Sequence, residues 1–447
     1  MRDIALAGIV FGLLLMAFKQ PVIGAYLWAW LSLMSPHKMT WGFAFGFPFA
    51  QITAVVTLLA LLVTRQRRAV PINAIVVLQL SMLGWMSFTS LFALADRTLV
   101  IDRWVFVLKI HLMLVVTWML VRDARQLRVL IWVVTLSVVY FGIKGGFWTL
   151  LTGGGGRVWG PPGGMLQENN ALAVALVMLT PFLYFLRQTE GNAWVRRGLD
   201  LAVVLCAFSI LGSQSRGALI ALLAMAFVLG LKGKHPVGSS AILLSLVALT
   251  IAFMPDSWSN RMETIQTYQQ DTSAMSRLWA WQTMWNAAVD RPLVGVGFMS
   301  DNATVFSRYA PIDGVYSIFA GQIYVAHSIY FQMLGEHGFV GLGMFLALLA
   351  TTWIAAGRIA ARTKDDPEFK AWMPLLMRMV QVSLVGFAAG GAFLSIAYLD
   401  LPYYIIGYVV LAAALLKDRA STAETSGLSA DPSTSIRRDL TAGLPRA

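Results

Sequence analysis

A succession of long apolar runs, separated by short polar loops, constrains this chain more than any other feature. The runs fall near 4–18, 21–34, 45–63, 72–95, 104–121, 127–151, 170–186, 199–211, 217–231, 239–254, 328–356, 375–397 and 401–416. A helix needs about 20 apolar residues to cross a bilayer, and many of these runs approach that length. In hydrocarbon each backbone polar group must be satisfied within its own segment, so such runs form helices. The predicted fold is an all-α polytopic membrane protein of about twelve transmembrane helices. The first two runs are short and are divided at Gln20-Pro21, so they read as two spans or as one broken segment.

Composition agrees. The 447 residues are 58% hydrophobic and 13% charged, too little polar surface for a soluble protein of this size. The net charge of +12 might suggest nucleic acid in a soluble chain. Here the excess falls in short loops: Arg65, Arg67 and Arg68; Arg122, Arg125 and Arg128; Arg187, Arg196 and Arg197; Lys232 and Lys234; Arg358, Arg362, Lys364 and Lys370. With alternating helices all of these share one side, which the positive-inside rule makes cytoplasmic. No nucleic-acid partner is expected; membrane lipids are. The lone cysteine, Cys206, lies in an apolar run, so no intramolecular disulfide can form. Five histidines are scattered without metal-ligand spacing, and neither a metal nor another cofactor is expected. Met1-Arg2-Asp3 leads straight into apolar sequence, which reads as an uncleaved membrane segment.

Four regions follow: membrane helices over 1–254, a large polar loop over 255–326 containing an amphipathic helix, further membrane helices over 327–416, and a disordered cytoplasmic tail over 417–447. The long loop falls on the side opposite the basic loops. Arginines there run against the topology rule and need another reason.

Several residues on that side could carry chemistry. His327 closes the polar loop where a long apolar run begins, with Ser328 next to it. An imidazole at that lip could transfer protons near pH 7 or simply cap a helix. Arg216, in Gly212-Ser213-Gln214-Ser215-Arg216-Gly217, falls in the first turn of a helix. Helix-start N–H groups plus a guanidinium make a phosphate-binding corner; a snorkelling anchor is the plainer reading. Within the loop, Leu278, Trp281, Trp285 and Ala288 recur at helical spacing, and Arg277 begins that amphipathic helix. Arg277 either pairs with an acid or projects into a site. Pro292 ends the helix, and Arg261 and Arg291 lie on the same loop. A glycine run at 153–156 leads into Arg157 without the Gly-Lys-Ser/Thr of a P-loop. Asn170 reads as a helix cap. His337 follows His327 by ten residues, about 15 Å along one helix, so the two share neither a metal nor a proton. With Glu336 it reads as a buried polar network or as an inward extension of the site.

Taken together, these residues resemble the bacterial O-antigen ligase family, which is related to the O-antigen polymerases. The strongest element is His327-Ser328, nine residues, then Gly338-Phe339-Val340-Gly341. It is similar to the ligase signature of His, then Asn/Ser/Gln, nine arbitrary residues, Gly, two more and Gly/Thr/Tyr. Ser215-Arg216-Gly217 and the stretch Arg277…Trp281…Pro292…Gly295…Gly297 are similar too. The N-terminal third looks more like the O-glycosylation ligases found with exosortase systems.

That resemblance implies a GT-C-like fold of about twelve helices with a large periplasmic loop, in the bacterial inner membrane. It implies transfer of a finished glycan from undecaprenyl pyrophosphate to the lipid A–core on the periplasmic face, without metal or nucleoside triphosphate. His327 would be the base, and Arg216 and Arg277 would hold the donor pyrophosphate. Arg157, Asn170, Arg261, Arg291, Ser328 and His337 are possible supporting residues. Competing expectations are a polymerase or protein O-glycosylation ligase sharing the donor chemistry, a lipid-linked oligosaccharide transporter, and a structural envelope partner. A transporter calls for charges or broken helices at mid-membrane and for visible repeats.

Overall fold

The computed structural model describes residues 1–232, 248, 272–312 and 314–428. The predicted run at 239–254 (residue 248 aside) and Arg261 lie outside the described residues. Within them the regular structure is entirely helical. The helices are α1 (Arg2–Lys19), α2 (Val22–Met34), α3 (Phe49–Val63), α4 (Ala74–Thr89), α5 (Arg97–Leu120), α6 (Ala124–Leu151), α7 (Asn169–Thr189), α8 (Ala193–Gly212) and α9 (Arg216–Lys232). They continue with α10 (Thr272–Asp290), α11 (Ala303–Tyr309), α12 (Ile329–Arg362), α13 (Met373–Gly391) and α14 (Asp400–Leu428).

Among the described residues, six segments are long and apolar enough to cross a membrane: Ala74–Phe92, Ala124–Leu151, Asn169–Thr189, Ile329–Arg362, Met373–Gly391 and Asp400–Ser421. Val22–Met34, Phe49–Val63 and Arg216–Gly230 are apolar but shorter. The Gln20-Pro21 ambiguity resolves as two helices, with Pro21 at the N-cap of α2.

Loop hydrogen bonds sort the two ends of the bundle. At one end Arg68 donates to the Val121 carbonyl at 2.7 Å and pairs with Asp418 at 3.1 Å. Arg128 donates to the Thr189 carbonyl at 2.6 Å, and Arg419 pairs with Asp366 and with Glu368. The basic loops near 64–68, 121–128, 187–197 and 357–370 therefore gather together, as their charge implied. Helix α14 runs on to Leu428, past the point where composition predicted an unstructured tail. The Asp418 and Arg419 ion pairs fasten that extension to neighbouring loops. At the opposite end the Asn169 amide donates to the Ser213 carbonyl at 2.7 Å, and the Leu94 N–H to the Val296 carbonyl at 2.9 Å.

Two packing features position that second end. Helices α6 and α8 approach closely because Gly146 has no side chain: a Cβ there would come within 2.1 Å of the Leu205 carbonyl oxygen. This contact fixes α8 and hence the turn at its C-terminus. Helix α13 runs through the interior. Its Gly390 meets Val174 of α7 and Ala221 of α9, and its Gly391 meets Ile329 of α12.

Helix α12 is two helices joined at a break. Gly338 has φ 69° and ψ −172°, which no α-helix tolerates. The Tyr330 hydroxyl reaches the Ala388 carbonyl at 2.8 Å, while the Phe345 ring lies 6.3 Å from that of Phe387. Fifteen residues of straight helix would separate Tyr330 and Phe345 by about 22 Å. Meeting adjacent positions of α13 requires a sharp bend. The sequence reading had one straight helix running inward from His327; the chain instead makes a short helix, turns at Gly338 and then runs the length of the bundle.

Candidate functional site

A cleft forms where the N-termini of α7 and α9 meet the C-terminal end of α13, beneath the first turns of α10. Its lining is Asn170, Gln214, Ser215, Arg216, Gly217, Ser273, Arg277, Phe393 and Leu394. Two arginines, Arg216 and Arg277, line this space, and among the described residues that line it none is a carboxylate. Both helix N-termini add partial positive charge and N–H groups to the same volume. The lining therefore suits an anion with several oxygen acceptors, which guanidinium groups bind in forked pairs.

Each lining residue has a local cause. The α8–α9 turn is tight: Gln214 takes φ 55°, a left-handed conformation unusual for a side-chain-bearing residue. Ser215 then accepts the Ala218 N–H at 3.2 Å and caps α9, so Arg216 opens that helix as its sequence predicted. Asn170 was read as a cap, but α7 begins one residue earlier, with Glu168 at the N-cap position. Asn169 ties the helix start to Ser213, and Asn170 is left to line the cleft. Arg277 lies in the second turn of α10 rather than at its start, because the helix begins at Thr272.

His327 adjoins this cleft. Burial chiefly, and the nearby Arg277 charge secondarily, push its imidazole down from 6.5 to about 4. It is therefore neutral throughout the physiological range, further from titration than an exposed histidine. Its backbone takes φ 45°, a left-handed conformation that costs about 1–2 kcal/mol for an L-residue. The peptide joining it to Ala326 is held at both ends. The Trp281 indole N–H donates to the Ala326 carbonyl at 2.8 Å, and the His327 N–H donates to the Ser395 hydroxyl at 2.8 Å. Ser328 caps α12 by accepting the Phe331 N–H at 3.5 Å.

Helix α10 buries two faces. Trp279 packs among Phe306, Phe319 and Tyr324 in a small core of its own. The stripe legible in sequence is the other face: Trp281 stacks on Phe331 at 5.1 Å, and Trp285 meets Phe339 edge-on at 5.9 Å. Arg277 is one turn before Trp281, so a single helix face carries both the cleft cation and the clamp on the Ala326 carbonyl.

His337 and Glu336 form a buried network away from the cleft. Imidazole Nδ1 lies 2.7 Å from the Thr89 hydroxyl and Nε2 lies 2.7 Å from the Tyr398 hydroxyl. Tyr398 also bonds Glu336, whose other oxygen accepts from the Ser300 N–H at 3.3 Å and hydroxyl at 3.2 Å. Glycines of the recognised pattern serve the break in α12. The freed carbonyls of Gly335 and Glu336 accept the N–H groups of Val296 and Gly297 at 2.8 and 2.9 Å, and Phe339 N–H donates to the Pro292 carbonyl at 2.8 Å. Arg291 is engaged elsewhere, donating to the Phe92 carbonyl at 2.9 Å. Arg157 is exposed and does not line the cleft. Sequence reasoning missed Ser273, Phe393, Leu394 and Ser395; Phe393 and Leu394 read only as part of an apolar run.

Residues 201–346 match the family described as O-antigen ligase. That segment, 201–346 of the 447 residues, is similar to O-antigen ligases. Residues 1–191 match a separate family of unknown function. No curated protein matches the chain. The O-antigen ligase segment contains Arg216, Arg277 and His327 together with the break in α12. The matched family implies a glycosyltransferase- or ligase-type enzyme, and the many apolar helices fit a multi-pass membrane protein.

Proposed function

We propose that the chain transfers a preassembled O-antigen glycan from undecaprenyl pyrophosphate to a sugar hydroxyl of lipid A–core, on the periplasmic face of the bacterial inner membrane. One observation carries this reading: two arginines line a cleft at the end of the bundle away from the basic loops, and a neutral imidazole, His327, lies near enough to feel the charge of one of them, Arg277.

The chemistry needs little more. The acceptor hydroxyl gives its proton to a ring nitrogen of His327 as its oxygen bonds to the anomeric carbon. The bond from that carbon to the pyrophosphate oxygen breaks, and its electron pair leaves with the pyrophosphate. Arg216, Arg277 and the two helix N-termini neutralise the charge that develops. Displacement in one step inverts the anomeric centre. Because the leaving group is already stable, most of the acceleration comes from holding donor and acceptor in line. The bundle would be GT-C-like, with apolar helix surfaces receiving the prenyl tail.

Purified protein in lipid nanodiscs, given a polyprenyl diphosphate-linked glycan and lipid A–core, tests this. His327→Ala should lower transfer by about 10²–10⁴-fold. Arg216→Ala combined with Arg277→Ala should abolish donor turnover. Wild-type rates from correctly inserted variants contradict the assignment. Transfer to a second lipid-linked glycan, but not to lipid A–core, makes the protein a polymerase instead.

A further inference from the structure

The Ala326–His327 peptide is gripped by two side chains from distant elements. Trp281 of α10 holds its carbonyl and Ser395, between α13 and α14, holds its N–H, each at 2.8 Å. The residue so held has φ 45°, and a left-handed histidine relaxes to ordinary backbone when nothing opposes it. Relaxation would turn the Cα–Cβ bond and swing the ring. The segment bearing Ser395 is itself tied along the first half of α12: the Ala397 N–H donates to the Gln332 side chain at 3.2 Å, and Tyr398 bonds Glu336. Two residues before Ser395, Phe393 lines the cleft and lies 6.3 Å from the Trp281 ring.

From this we infer that Trp281 and Ser395 are positioning residues that clamp the Ala326–His327 peptide and so fix the direction of the His327 imidazole relative to the cleft. Trp281 also couples Arg277 to His327, since movement of α10 shifts both together. The donor-holding cation and the proton acceptor are thereby kept in register. This inference rests on the proposed role of His327 as the base.

The test uses full-length protein in nanodiscs carrying Trp281→Phe, Ser395→Ala or Ser395→Thr. Phenylalanine keeps a ring on Phe331 and removes the N–H; threonine keeps the hydroxyl. Expected for Trp281→Phe and Ser395→Ala is a loss of about 10–100-fold in kcat, with KM for the donor unchanged, and recovery with Ser395→Thr. In ¹⁵N-histidine NMR titrations the loosened His327 ring should move from about 4 back toward 6.5. Unchanged kcat and an unmoved His327 titration in both variants overturn the clamp. So does a loss confined to donor KM or thermal stability. If His327→Ala itself transfers glycan at the wild-type rate, the base reading fails and takes the clamp with it. An inactive His327→Ala beside fully active clamp variants removes the clamp alone.

Discussion

At His327 the environment sets the protonation state. Burial and Arg277 hold its pKa at about 4, so the neutral form dominates from there upward. A base must be unprotonated, so kcat/KM should stay level through neutral pH and fall only as pH drops toward 4. A pyrophosphate bound beside the ring favours the imidazolium and raises that pKa. The acid limb of kcat should therefore lie at higher pH than that of kcat/KM. Were the imidazole instead needed as a cation, activity would rise as pH falls through the same range. At the arginines, Arg277→Lys should not restore transfer, because an ammonium cannot reproduce the forked pair of donors. Steady-state rates against pH and donor concentration check both expectations. His327 and Arg216 stand out in sequence because each is a polar residue at the edge of an apolar run, and Arg277 because it precedes an amphipathic stripe. Ser395 carried no such signal: it is a small hydroxyl inside an apolar run, 68 residues from the backbone it holds.

Helix α12 shows what patterning cannot reveal at the element scale. The apolar run from 328 to 356 is continuous, so periodicity gives one helix; the positive φ of Gly338 divides it. The spacing between His327 and Gly338 thus joins the proposed base to an architectural residue. A Cβ at Gly338 would lie 2.3 Å from the Leu293 carbonyl oxygen and 2.5 Å from that of Pro292. Gly338→Ala should cost at least about 1–3 kcal/mol from backbone strain alone. Gly343, with open space around it, provides the comparison, and Gly343→Ala should be neutral or slightly stabilising. Thermal unfolding in detergent separates the two. Equal melting temperatures for both variants would mean that the break is not structurally required. The amphipathic reading of α10 was half complete: it found the face packed on α12 and missed the face around Trp279, because that helix is buried on two sides.

Across the whole molecule, loop charge was the most readable feature. The basic loops meet at one end through Arg68, Arg128 and Arg419, and the cleft lies at the other. Helix count was less readable, since α5 and α8 carry charges within their length and α1 is flanked by charges at both ends. The only cysteine, Cys206, is buried, so introduced cysteines report cleanly on sidedness. In intact spheroplasts, Trp159→Cys should react with an impermeant maleimide, while Arg196→Cys should react only after lysis; both positions are exposed. The reverse pattern would put the cleft on the cytoplasmic side and exclude a periplasmic acceptor. The most direct measurement is a structure with undecaprenyl pyrophosphate bound. The account predicts diphosphate oxygens within hydrogen-bonding distance of Arg216 and Arg277, with the ring of His327 beside the bond to be broken. A diphosphate seated elsewhere, or a cleft that stays empty while the lipid binds at another surface, would contradict it.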